Sequence, residues 1–276
     1  MNSISTEKLD IAYDDALIVK ALDMNIPHGK ISSIIGPNGC GKSTVLKAVG
    51  RILKPKTGLV YLSGEDIRDL STKEIAKKMA ILPQTPTAPS GLTVSELVAY
   101  GRFPHQKGFG KLTPEDKKIV NWALSVTKLT EFENREVDTL SGGQRQRVWI
   151  AMALAQQTDL ILLDEPTTYL DLAHQLEILE LLYDLNRKQN VTIVMVLHDL
   201  NLAARFSDYM IAIRDGKIVT HGSPEKVMTS ESLKDTFSID AEIVLEPRTG
   251  RPICLTYNLV NSSSKESPPQ KEDIAV

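Results

Sequence analysis

The sequence predicts an α/β fold with a parallel-rich central sheet, an antiparallel β part and an inserted α-helical lobe. Three observations carry this. First, "KISSIIG" (30–36), "TDLILLDEP" (158–166) and "NVTIVMVLHD" (190–199) are apolar runs without alternation, the pattern of strands covered on both faces of a parallel sheet. Second, between the last two, Leu172, Leu176, Leu179, Leu182 and Leu185 recur at three- and four-residue spacing and mark an amphipathic helix. Strand, helix, strand in this rhythm is an α/β signature. Third, a proline-rich stretch and several helical patterns interrupt that rhythm in the middle of the chain.

Taken in order, the run at 30–36 feeds a glycine-rich turn, and "KSTVLKAVGRIL" (42–53) then reads as a helix. Ser71 and Glu74 form a capping box that opens another helix. "LPQTPTAPSG" (82–91) holds three prolines in ten residues and excludes regular structure. A second capping box, Thr93 and Glu96, opens "VSELVAYGR", and residues 115–129 place Ile119, Trp122, Val126 and Leu129 on one helical face. Residues 1–84 and 158–260 are therefore assigned to the α/β core and 85–157 to the inserted lobe. "IRDGKIV" (213–219) has the Asp-Gly hairpin signal and adds antiparallel strands. The polar, Pro/Ser-rich residues 261–276 read as a disordered tail. No internal repeat is evident.

The chain of 276 residues, 42% hydrophobic and 24% charged, has a net charge of −3. No basic run tracks a phosphate backbone, so a nucleic-acid partner is not indicated. The first residues lack a secretion signal, and no apolar run approaches the ~20 residues that span a bilayer. Two cysteines, Cys40 and Cys254, make no disulfide framework and fit a reducing compartment. A cytosolic protein is expected, one that would dock onto something already in the membrane if it works there.

"GPNGCGKST" (36–44) carries the first chemistry. Gly36, Gly41, Lys42 and Ser43 fit G-x-x-x-x-G-K-[ST], after a buried strand and before a helix. Glycines let consecutive N–H groups turn inward, and the helix start adds partial positive charge. The stretch Gly36, Pro37, Asn38, Gly39, Cys40, Gly41, Lys42, Ser43 and Thr44 is thus expected to bind a nucleoside triphosphate, with Lys42 on the β- and γ-phosphates and Ser43 on Mg²⁺. Asp164 and Glu165 end a buried strand at its carboxyl edge, where open α/β sheets place ligands. Asp164 reads as the Mg²⁺ partner, and Glu165 as the group that orients or deprotonates the attacking water. His198 follows the other buried strand and is expected at the γ-phosphate. His28, His105, His174 and His221 have no such support and read as surface residues. Cys40, beside Lys42 and a helix start, is expected to have a lowered thiol pKa and to be alkylated unless ATP protects it.

A second glycine turn opens a second helix at "TLSGGQRQRVWIAMALAQ" (139–156). Alone, Ser141-Gly142-Gly143-Gln144 would be a plain N-cap. With the first cradle, the set closely resembles the ABC ATPases, over about residues 5–258 and in the family's order. Tyr13 stands as the adenine-stacking aromatic, followed by the phosphate loop and by Gln84 at the proline-rich loop. Next come "LSGGQ" at 140–144, "LILLDE" at 160–165, "YLD" at 169–171 and His198. The resemblance implies a P-loop NTPase core of ABC type, with ATP and Mg²⁺ as its ligands and Gln84 contributing to the metal site. It further implies that two copies face head to tail. Ser141, Gly142, Gly143 and Gln144 of one would then close over the nucleotide of the other, with Asp171 in the shared interface.

Within the family, a lone module without coiled coil or fused membrane segments resembles a bacterial importer ATPase more than the soluble DNA- or ribosome-linked members. "GLTVSELVAYGRFPH" (91–105) and the segments around 163–182 and 194–227 resemble ATPases of ferric siderophore, haem and vitamin B12 importers, most nearly Gram-positive siderophore systems. The partners so implied are a second copy, integral-membrane permease subunits touching the lobe near Gln84 and, indirectly, an extracytoplasmic substrate-binding lipoprotein. The place implied is the cytoplasmic face of the membrane. One ATPase serving several permeases stays open, as does the choice for Cys40 between small filler and redox role.

Overall fold

Residues 31–35, 160–164 and 192–196 are buried at every position, as strands covered on both faces must be. Their side chains alternate between two apolar clusters. Ile31, Ile35, Ile161, Leu163, Ile193 and Met195 point to one, and Ile34, Leu160, Leu162, Val194 and Val196 to the other. The computed structural model describes residues 2–106 and 111–260. In chain order its elements are β1 (Asn2–Tyr13), β2 (Ala16–Leu22), β3 (Asn25–Pro27), β4 (Ile31–Ile35), α1 (Lys42–Val49), β5 (Thr57–Leu62), β6 (Glu65–Asp66), α2 (Thr72–Lys78), β7 (Met79–Leu82), α3 (Val94–Ala99), α4 (Pro114–Val126), α5 (Gly142–Ala155), β8 (Leu160–Asp164), α6 (Leu172–Gln189), β9 (Thr192–Val196), α7 (Leu200–Phe206), β10 (Tyr209–Arg214), β11 (Lys217–Gly222), α8 (Pro224–Val227), α9 (Ser230–Phe237), β12 (Ile239–Leu245) and β13 (Pro252–Leu259).

The central sheet has the order β11-β10-β4-β9-β8-β7, parallel except for the β10–β11 hairpin. That hairpin turns at Asp215 and Gly216, both left-handed at φ 50° and 75°, as a two-residue Asp-Gly loop requires. One face of the sheet packs on α6, α7 and the helices of residues 94–155. The other packs on α1 and on an antiparallel sheet of order β2-β1-β5-β6, with β3 beside β1. This second sheet gives little sequence signal, because β1 changes register repeatedly and passes through Lys8 at φ 44°.

Two helices differ from expectation. Helix α1 stops at Val49 rather than near residue 53, capped by Gly50, where a Cβ would lie 2.5 Å from Ile81 Cδ1. On α6, Leu179, Leu182 and Leu185 are buried, but Leu172 is 76% exposed at the helix start. The capping boxes of Ser71 and Thr93 form, joined by Thr113 with Asp116 and Ser141 with Gln144. No helix among the described residues is long and apolar enough to cross a membrane. The expected tail, 261–276, lies outside the described residues.

The helices of residues 94–155 share one buried ion pair. Arg102 Nε donates to Asp116 Oδ1 at 2.8 Å, and Arg102 also reaches the Ala155 carbonyl, so one guanidinium joins the starts and ends of three segments. Hydrogen bonds from Thr113 and from Arg102 hold the Asp116 carboxyl down at about 2, against 3.8 ordinarily. A depressed carboxylate adds stability above its unfolded value, and that stability is lost as pH falls from about 3.8 towards about 2. Asp116→Ala strands the buried guanidinium and should lower unfolding free energy by about 3–5 kcal/mol at neutral pH. Urea denaturation of both proteins, repeated at acid pH where the difference should shrink, checks this.

Candidate functional site

Four neighbouring strands deliver their carboxyl ends to one edge of the central sheet. β4 runs into the glycine turn of residues 36–41, β9 ends before His198, β8 ends at Asp164, and β7 ends two residues before Gln84. Sequence positions 36, 84, 164 and 198 become neighbours only because the strand order is β4-β9-β8-β7. The resulting cleft, of about 410 Å³, is lined by Asn38, Gly39, Gly41, Lys42, Ser43, Thr44, Gln84, Glu165, Thr168, Tyr169 and His198.

At the first cradle the backbone is left-handed at Gly39 and Gly41, with φ 77° and 105°, and α1 begins at Lys42. The Lys42 ammonium is buried against the loop and donates to the carbonyls of Gly36 at 2.8 Å and Pro37 at 3.0 Å. Ser43 Oγ donates to Asp164 Oδ1 at 2.7 Å. Burial raises the Asp164 carboxyl pKa above its usual value, the neighbouring Glu165 adds to this, and the Ser43 hydrogen bond opposes it. A buried carboxylate with a hydroxyl beside it is a hard oxygen donor pair that suits Mg²⁺. Among the described residues no group of three or more His, Cys, Asp or Glu is placed to hold a metal, so such an ion would draw its other oxygens from phosphate and water.

Glu165 is held from three sides. Its Oε2 accepts from Gln84 Nε2 at 2.5 Å and from Thr168 Oγ1 at 3.0 Å, and its Oε1 lies 2.5 Å from His198 Nε2. Its backbone is left-handed at φ 52°, which turns the side chain away from the strand direction of Asp164. A carboxylate fixed this way beside a phosphate cradle can orient a water and accept its proton. Thr168 and the 87%-exposed Tyr169 were not identifiable from the sequence as parts of the cleft. The only sequence clue to Thr168 is its position three residues after Glu165, within reach across a turn.

Other expected residues lie elsewhere. Tyr13 ends β1, half-exposed and outside the cleft lining, although β2 from the same hairpin runs behind the loop, where a Cβ added at Gly41 would lie 3.2 Å from Val19 Cγ2. Ser141 caps α5, with Gly142, Gly143 and Gln144 in its first turn, and none of them lines the cleft. Asp171 caps α6 near them. His28 and His221 are exposed. By contrast, His105 is half-buried with Nε2 2.8 Å from the Gln156 carbonyl oxygen, and His174 is half-buried against Asp171, so neither is a plain surface residue.

The expectation for Cys40 is corrected. Its side chain is buried in the core behind the loop, and that burial pushes the thiol pKa up, outweighing the lowering effect of Lys42. Iodoacetamide should therefore label Cys40 more slowly than free cysteine at pH 7.5, as followed by intact mass; faster labelling would show that the loop opens.

Comparison with known proteins agrees with this geometry. The family model described as "ABC transporter" matches residues 19–168. The chain is 62% identical over 265 residues, 96% of its length and 98% of the relative's, to the iron(3+)-hydroxamate import ATP-binding protein FhuC of Bacillus subtilis. It is 44% identical, over 95% of its length and 96% of the relative's, to the ferric enterobactin transport ATP-binding protein FepC of Escherichia coli. The dimeric structure of MJ0796, a bacterial ABC transporter cassette, superposes with a TM-score of 0.71 at 33% identity, covering 80% of this chain and 98% of that one. With a phosphate loop, a clamped glutamate and a second glycine turn set apart from both, the chain belongs to the ABC transporter family as one of its ATP-binding subunits.

Proposed function

We propose that the chain energises uptake of iron(III)–siderophore complexes, hydrolysing ATP as a head-to-tail pair beneath a membrane permease. The observation that carries the ATPase part is Glu165, clamped by Gln84, Thr168 and His198 at the mouth of the phosphate loop. The inward N–H groups of residues 38–44 and the start of α1 bind the phosphates, Lys42 bridges the β- and γ-phosphates, and Tyr13 stacks on adenine. Ser43, Asp164 and the Gln84 amide oxygen would hold Mg²⁺, which supplies charge neutralisation on the phosphates when bound. Glu165 accepts the proton of the attacking water, while His198 holds the γ-phosphate. Ser141, Gly142, Gly143 and Gln144 act on the partner's nucleotide, and Asp171 lies in the shared interface. That division is supported by the second glycine turn and Asp171 lying together at the starts of α5 and α6, where His174 touches both.

The cargo reading draws on the relatives named for iron(3+)-hydroxamate and ferric enterobactin transport. Permease contact is assigned to a hollow of about 330 Å³ lined by Leu92, Glu96, Ala99, Tyr100, Phe103, Gln106 and Leu112. There the rings of Tyr100 and Phe103, 40% and 56% exposed, lie 5.2 Å apart, tilted at 45° to each other. The substrate-binding lipoprotein would act from the other side of the membrane, through the permease. The test is uptake of radioactive iron by cells lacking the chain, supplied as ferric hydroxamate, ferric catecholate or haem, with labelled cobalamin in parallel. Loss confined to ferric siderophores supports the reading; loss of haem or cobalamin uptake instead reassigns the cargo. Cells carrying Tyr100→Ala with Phe103→Ala should lose most uptake, while the purified variant hydrolyses ATP within about twofold of wild type; a docking face is expected to depend on its aromatic anchors.

A further inference from the structure

Asp171 and Gly143 sit in separate segments, yet one side chain touches both. His174, in the first turn of α6, donates its backbone N–H to Asp171 Oδ1 at 2.9 Å, and its ring Nδ1 lies 2.8 Å from the same oxygen. The other side of the imidazole rests on the second glycine turn: a Cβ at Gly143 would fall 2.6 Å from His174 Cδ2 and 3.2 Å from Nε2. Gly143 has ordinary backbone angles, so the ring, not the chain conformation, is what excludes a side chain there. One turn further on, an ion pair between Arg147 and Glu177 fastens α5 to α6 a second time. None of these residues lines the cleft at Lys42 and Glu165, so the arrangement gives no direct help to the chain's own nucleotide.

We propose that His174 is a positioning residue that ties the second glycine turn to Asp171, so that a protomer presents both to its partner's nucleotide as one preordered surface. The inference rests on the head-to-tail reading above. Two exposed segments that moved independently would each have to be ordered when the copies meet; a shared ring orders them beforehand and removes that entropy from association. It also fixes their relative placement, and misplacement of about 1 Å at a phosphoryl-transfer site can cost as much as 10²-fold in rate.

The test uses mixed dimers of full-length chains purified through two different tags, in which one chain carries Glu165→Gln so that only the other site turns over. In the first arrangement His174→Ala is placed on the Glu165→Gln chain, whose glycine turn serves the live site. In the second it is placed on the other chain, away from the live site. The first should hydrolyse ATP about tenfold more slowly than the second, with the deficit in kcat rather than KM. His174→Asn, which keeps a donor for Asp171, should recover most of the deficit. Equal rates in both arrangements, or a deficit that His174→Asn leaves untouched, would overturn the proposal. Ser141→Arg is run in the same two arrangements. If it also fails to discriminate between them, the head-to-tail reading falls and takes the proposal with it. If Ser141→Arg discriminates and His174→Ala does not, the proposal alone is lost.

Discussion

Glu165→Gln should slow ATP hydrolysis by about 10²- to 10⁴-fold, the usual worth of a positioned general base. The substitution keeps the volume but not the chemistry. Three donors converge on this carboxylate, from Gln84, Thr168 and His198. An amide meets them with one oxygen and one NH₂ group, so it neither takes a proton from water nor satisfies all three. In the proposed site nucleotide binding would rest on Lys42, Ser43 and the loop backbone, none of which the substitution touches. The variant should therefore elute from a sizing column as a dimer with ATP and Mg²⁺, whereas wild type, which clears its nucleotide, stays mostly monomeric. Persistent hydrolysis would remove Glu165 from the base role; failure of ATP to produce any dimer would count against the facing cradles.

Gly36→Ala should cost nucleotide affinity by about 10²-fold, from the ~1–3 kcal/mol of a forced backbone conformation together with a collision that the loop can relieve only by moving. Gly36 has φ 153°, and a Cβ there would lie 2.1 Å from the Ile213 carbonyl oxygen and 2.7 Å from Cys40 Sγ. The Ile213 carbonyl belongs to β10, which is paired on both sides, so the strand stays and the phosphate loop is displaced. Gly39→Ala is the internal comparison. Its φ of 77° strains an alanine, but nothing lies within 4 Å of the added Cβ, so its loss should be about tenfold or less. Titration with a fluorescent ATP analogue ranks the two. If Gly39→Ala were the worse, close packing behind the loop would not be what makes Gly36 necessary.

Both substitutions act at residues that local rules could find. A glycine turn between a buried strand and a helix follows from spacing, and carboxylates closing a buried strand follow from apolar runs that stop at charge. The capping boxes at Ser71 and Thr93 were legible for the same reason, since each is complete within four residues. The antiparallel sheet of β1, β2 and β5 was not legible, because its pairings join distant segments through irregular register. The clamp on Glu165 was only half legible. Gln84 and His198 were named for the site, but Thr168, and the convergence of all three on one carboxylate, depend on strand order.

Cys40 and His174 show the same division from the other side. Sequence proximity put Cys40 beside Lys42 and a helix start, which argues for a lowered thiol pKa. The fold buries that thiol, and desolvation outweighs the nearby charge. His174 had no motif, yet packing set its ring between Asp171 and the second glycine turn. By itself, then, the sequence determined the α/β class, the phosphate loop, the acidic strand end and the family, all carried by patterns a few residues long. Only the tertiary structure decided which groups share the cleft, which way Cys40 titrates, and that one imidazole joins the second glycine turn to Asp171. The physical reason is that charge, burial and contact at these places are set by segments far apart in the chain, which strand order and core packing bring together.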